Sequence, residues 1–139
     1  MNEGMNLQTY MQALSEGLNG SFSEYDDHTS VVVVPLSDGR YQSVKGTSKM
    51  LDDGRTEVVS FSSYVCSYHE TLDFKNFLSE NQNLRYSKFT IDEEFVQVEA
   101  SVFIEFLTEG NQDYLMKMIR EIAQQADAWE HKLTGLDVF

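Results

Sequence analysis

NLRYSKFTIDEEFVQVEASVFIEF, Asn83 to Phe106, is the stretch whose reading decides the fold. In its second half Val96, Val98, Ala100, Val102, Ile104 and Phe106 fall on one face, and Gln97, Glu99, Ser101 and Glu105 on the other. A period of two over this length predicts a strand in a sheet with one dry and one wet face. Ser87 to Asp92 reads as the preceding strand and the acidic Asp92-Glu93-Glu94 as the link, which makes a hairpin. Phe103 breaks the pattern as a large apolar residue on the wet side. The hairpin carries no nucleophile, metal cage or phosphate loop.

Working outward, the periods alternate. Leu7, Tyr10, Met11, Leu14 and Leu18 follow helical spacing, with Asn6 as a cap and Gly17 and Gly20 loosening the end. Then come HTSVVVVPL, RYQSVKGTS and TEVVSFSSYVCSY, separated by SDGR and LDDGR. Three strands joined by two Asp-Gly turns predict an antiparallel meander. A short helix is expected near Asp73 to Glu80, capped by Asp73 and stapled by Leu72 onto Phe77, with Phe74, Phe77 and Leu78 facing the sheet. The last helix carries a narrow apolar seam, Leu115, Ile119, Ile122, Ala126, Trp129 and Leu133, stopped by Gly135. That seam is too short to demand a coiled coil, and packing across the sheet with Trp129 buried is its simplest use. The order α-β-β-β-α-β-β-α predicts a single α+β domain over residues 1–139, a five-stranded antiparallel sheet with helices packed on one face.

Composition narrows the function. The chain has 139 residues, 41% of them hydrophobic, with nine Phe, seven Tyr and one Trp, which is enough for a real core. Its net charge of −13 opposes nucleic acid and anionic membrane surfaces and leaves protein partners open. One cysteine rules out an internal disulfide framework and fits a reducing compartment. MNEGMNLQTYMQ has no basic region followed by an apolar one, and Val31 to Val34 is the longest aliphatic run, so a cytoplasmic protein is expected. NGS at Asn19 matches a glycosylation acceptor and is read as a plain turn.

Little chemistry can be assembled from what remains. Cys66 and His69 are the only Cys–His neighbours, at the end of a strand and without an adjoining Gly-rich turn, so they read as a half-buried thiol beside a surface histidine. His28, His69, His131 and Cys66 lack zinc-ligand spacing. Asp26-Asp27, Asp52-Asp53 and Asp92-Glu93-Glu94 lack the alternating ligands of a calcium loop and read as solvated turns. No GxGxxG or Walker pattern occurs. The sequence therefore assigns no catalytic, cofactor-binding or metal-ligating residue and no cofactor.

The whole pattern resembles the type III secretion chaperone-like superfamily and, within it, the YbjN-like group. The resemblance rests on the element order and on FLSENQNLRYSKFTIDEEFVQVEASVFIEF, where SKFTID matches a small-Lys-Phe-x-x-Asp strand after an Asn-containing turn. It rests also on IAQQADAWEHKL, where an Ala-Asp pair precedes an aromatic in the closing helix. Where that group often has Asp-Gly at the last hairpin, this chain has DEEF. The resemblance implies a non-enzymatic module that holds a protein or peptide segment on its sheet and helix surfaces, and a homodimer. Phe103 supports self-association independently, because a large apolar residue on a wet face wants cover. Two other readings compete: a regulator that senses a small molecule, and a small enzyme using Cys66 and His69.

Overall fold

The computed structural model describes residues 6–134. The side chain of Asn6 accepts the Thr9 N–H at 2.8 Å and starts helix α1, Leu7–Gly17. All five of its periodic apolar residues are buried, and the Tyr10 hydroxyl donates to the Thr108 carbonyl at 2.6 Å. Asn19 then takes φ 58°, the conformation of a turn, and the chain enters a strand that the sequence reading passed over: β1, Ser21–Asp26. This corrects the expected strand count from five to six. β1 escaped notice because only Phe22 meets the core, so it has no alternating apolar set, and its order comes from backbone pairing with β2, Thr29–Pro35. Gly20 makes the approach possible, since a Cβ there would stand 2.3 Å from the Val33 carbonyl oxygen.

The expected meander follows as β2, β3 (Tyr41–Met50) and β4 (Glu57–Ser67), with Gly39 and Gly54 at φ 74° and 67° in the connecting turns. Helix α2 spans Phe74–Glu80, its Asn76 N–H capped by the Asp73 carboxylate at 3.1 Å. The hairpin is β5 (Lys88–Asp92) and β6 (Phe95–Phe103). Glu93, at φ 52°, occupies the left-handed position that a glycine would take more easily. Ile104–Phe106 leaves the strand as a 3₁₀ turn, one turn short of the expected strand. The six strands lie in the order β1-β2-β3-β4-β6-β5, all antiparallel.

Helix α3, Gln112–Thr134, crosses β3, β4 and β6, while α1 covers β1 and β2 on the same side. The observed order is thus α-β-β-β-β-α-β-β-α, with one face of the sheet covered and the other open. The buried face of α3 is wider than the predicted seam. Met118, Ala123, Asp127 and Glu130 are buried with it, while Leu133 is 45% exposed. A 3.5-residue repeat drifts by about 20° per heptad on a straight helix, and by Leu133 the stripe has rotated away from the sheet. Asp127 is accommodated by Arg40, just ahead of β3, whose Nε donates to its Oδ2 at 2.9 Å. The stop assigned to Gly135 lies outside the described residues.

Candidate interaction site

An apolar concavity lies between α2 and the β5 edge of the sheet. Phe77 is buried between Phe89 of β5 and Trp129 of α3, with ring centroids 5.1 and 4.8 Å away, and Phe89 meets Trp129 edge-on at 5.6 Å. Phe77 and Phe89 form a floor backed by Trp129, and Phe74, Leu78, Ile91 and Val96 surround a groove of about 250 Å³ above it. The expectation that Leu78 packs on the sheet is corrected here. Leu78 is 66% exposed and Ile91 54%, and they stand on the two lips. A seven-residue helix presents its apolar stripe over barely two turns, and Phe77 alone takes the place beneath it.

Two polar devices hold this corner. The Asn81 side chain accepts the Phe89 N–H at 2.7 Å and donates to the Phe89 carbonyl at 3.4 Å, standing in for a neighbouring strand at the sheet's edge. Glu121 of α3 accepts the N–H groups of Arg85, Tyr86 and Ser87 at 2.9–3.0 Å and the Ser87 hydroxyl at 2.6 Å. Burial pushes this carboxyl up, but the four hydrogen bonds outweigh it and hold it below the usual glutamate range. Sequence reasoning missed both. Asn81 looked like one more turn residue, and nothing local marks Glu121 among the acids of α3.

The remaining candidates are dispersed. Cys66 is buried opposite Val96, and burial pushes its thiol up, away from a reactive thiolate. His69 is exposed, with Nδ1 2.8 Å from the Thr71 hydroxyl, and His28 lies beside Ser48 at 3.3 Å. Asp26 accepts the His28 N–H, and Asp53 accepts the Arg55 and Thr56 N–H groups and the Thr56 hydroxyl, which lowers its pKa. These acids organise turns. Among the described residues, no three His, Cys, Asp or Glu side chains gather as a metal site, and no helix is long and apolar enough to cross a membrane.

The architecture has counterparts among solved structures. A chain of the HopA1–SchA chaperone–effector complex superposes with a TM-score of 0.56 at 16% identity, over 88% of this chain and 91% of that one. The two chains share a fold. A chain of the ExsC–ExsE complex matches at TM-score 0.46 and 16% identity, over 91% of this chain and 96% of that one. No protein-family model and no curated protein matches the sequence.

Proposed function

We propose that this chain, as one YbjN-like domain over residues 1–139, is a non-enzymatic, cytoplasmic protein-binding module whose α2–β5 groove holds an apolar segment of a partner protein. The observation that carries this reading is the pair of exposed lips, Leu78 and Ile91, over a floor of Phe77 and Phe89 held from behind by Trp129. Exposed apolar residues beside a concavity are what an apolar partner segment needs. The groove is flanked in sequence by exposed Asp73, Asp92, Glu93 and Glu94 and by Lys75 and Lys88, while Lys132 lies over Trp129 behind its floor. The segment it fits is apolar at its centre and basic at its ends, consistent with a net charge of −13. At this groove a small-molecule sensor is the weaker reading, because 250 Å³ lies below the roughly 300–1,000 Å³ usual for small-ligand sites. An enzyme using Cys66 and His69 is weaker still, since its nucleophile would be a buried thiol with a raised pKa.

Trp129 reports on this site, since it touches two floor residues. Titration with a synthetic peptide, four apolar residues between Lys pairs, is expected to shift its fluorescence saturably. Leu78→Glu and Ile91→Glu should each weaken binding by roughly tenfold or more while leaving the melting temperature unchanged. Equal response to a scrambled polar peptide, or no effect of either substitution, would refute the site. The same reading makes the module a homodimer, because Phe103 remains 59% exposed on the open face. Sedimentation equilibrium should find a dimer that tightens with salt as the repulsion between two acidic copies is screened.

A further inference from the structure

The register of the central strands encodes a symmetry. On the open face, three rows of side chains run across β3, β4 and β6: Lys49–Val58–Phe103, Thr47–Ser60–Ser101 and Lys45–Ser62–Glu99. In each row the β4 member lies between the other two. A rotation of 180° about an axis lying along β4, just above the face, would set each β3 residue of one copy over the β6 residue of another. Lys45 would then meet Glu99, Thr47 would meet Ser101, and the Lys49 ammonium would meet the Phe103 ring, with every contact made twice. On the axis itself sit Val58, Ser60 and Ser62, small enough for two sheets to approach, and at its end Tyr64, whose ring is stacked on Phe95 at 4.2 Å.

We propose that a second copy of this chain docks open face to open face about a two-fold axis along β4. This rests on the homodimer reading above and specifies its surface. Charge supports it. The open-face strand positions carry Lys45, Lys49 and Lys88 against Asp26, Asp92 and Glu99, a balanced set on a protein of net charge −13. Two such acidic molecules meet with least repulsion on a face of this kind. Area supports it as well. Rotation about β4 lays β3 over β6 and β2 over β5, and these five strands, about 4.8 Å apart with the central ones about 30 Å long, present roughly 600 Å², approaching the ~800 Å² per partner of a specific interface. Phe103, otherwise exposed, acquires cover from the Lys49 ammonium and stem. Aligned packing of two sheets is a standard geometry for such faces. The α2–β5 groove lies on the helix-covered side, so both grooves of the dimer stay open.

Charge exchange tests the arrangement. Lys45→Glu places a carboxylate opposite Glu99 of the second copy, and Glu99→Lys places an ammonium opposite Lys45. Each variant alone should raise the dimer dissociation constant by roughly tenfold or more. Mixed one to one, the two variants should form a heterodimer, because both opposed pairs become complementary again, and the double variant should dimerise with itself. Ser60→Glu, on the axis, should dissociate the dimer, and no mixing with either charge variant should rescue it fully. Recovery on mixing also shows that the single variants are folded. A wild-type dimer that all three substitutions leave unchanged would overturn this face and leave the homodimer standing. A wild type that sediments as a monomer at hundreds of micromolar would overturn the homodimer, and this interface with it.

Discussion

The two edges of the sheet solve the same problem in opposite ways. An edge strand exposes unpaired N–H and C=O groups and invites pairing with another chain. At β5 the problem is met by architecture: the Asn81 amide engages both backbone groups of Phe89, α2 stands alongside, and Glu121 ties the approach to the strand to α3. At β1 it is met by composition. Ser21, Ser23, Glu24, Tyr25 and Asp26 are all exposed, the strand is short, and its acids repel a second acidic strand. A bulge between Glu24 and Asp26 breaks its regularity further. An edge that borders an apolar groove has to be fixed in place, because its position sets the shape of that groove. An edge that borders water needs only to be unattractive.

The comparison can be broken at several points. The largest effect is expected from Trp129→Ala, which removes the ring beneath Phe77 and Phe89 and should cost about 3–5 kcal/mol in a urea denaturation curve. A midpoint barely shifted would detach the β5 corner from the core. Next comes Asn81→Ala, which frees two edge groups and should cost about 1–2 kcal/mol. It should also speed hydrogen exchange at the Phe89 amide selectively and raise light scattering, and exchange at the wild-type rate would show the amide to be ornamental. Ser23→Ala on β1, by contrast, should change stability by less than about 0.5 kcal/mol, and a loss comparable to that of Asn81→Ala would erase the distinction between the edges.

Acid sharpens the same contrast. Glu121 has its pKa lowered in the folded state, so its contribution is fully present above the unfolded value near 4.3. It is lost as the pH falls through the lower folded value. Denaturation midpoints measured from pH 6 to pH 3 should therefore drop more steeply below about pH 4 in the wild type than in Glu121→Gln. Identical slopes would mean that the clamp contributes nothing to stability. The smallest effect of all is expected from exhaustive chelation, which should leave the melting temperature where it was. A fall that one metal restores would return His28, His69 and His131 to consideration.

Local pattern was sufficient wherever each residue's role repeats. α1, the meander β2 to β4 and the hairpin β5–β6 were legible because burial on one face imposes a period of 3.6 or 2 on the sequence. The turns at Gly39 and Gly54 were legible because few residues tolerate positive φ. Phe103 was legible as an exception for the same reason: a rule strong enough to predict is strong enough to be visibly broken. β1 was not legible. Its place is decided by backbone hydrogen bonds to β2, which carry no side-chain signature, and by a glycine, Gly20, whose purpose is the close approach of the Val33 carbonyl further along the chain.

Other features depended on distance along the chain. Gln97 was expected in water, yet it is buried, because Tyr64 and Phe95 stack at 4.2 Å beside it and its amide donates to Thr90. The lips of the groove, the Asn81 bridge, the Glu121 clamp and the Arg40–Asp127 pair each join residues from different elements. The sequence by itself determined which segments are helices and strands, and which chemistry is missing from them. Only the tertiary structure decided which exposed apolar residues share a groove and which rows of the open face mirror one another. The physical reason is that secondary structure follows from near neighbours, whereas a binding surface is made by residues that become neighbours only when the sheet closes.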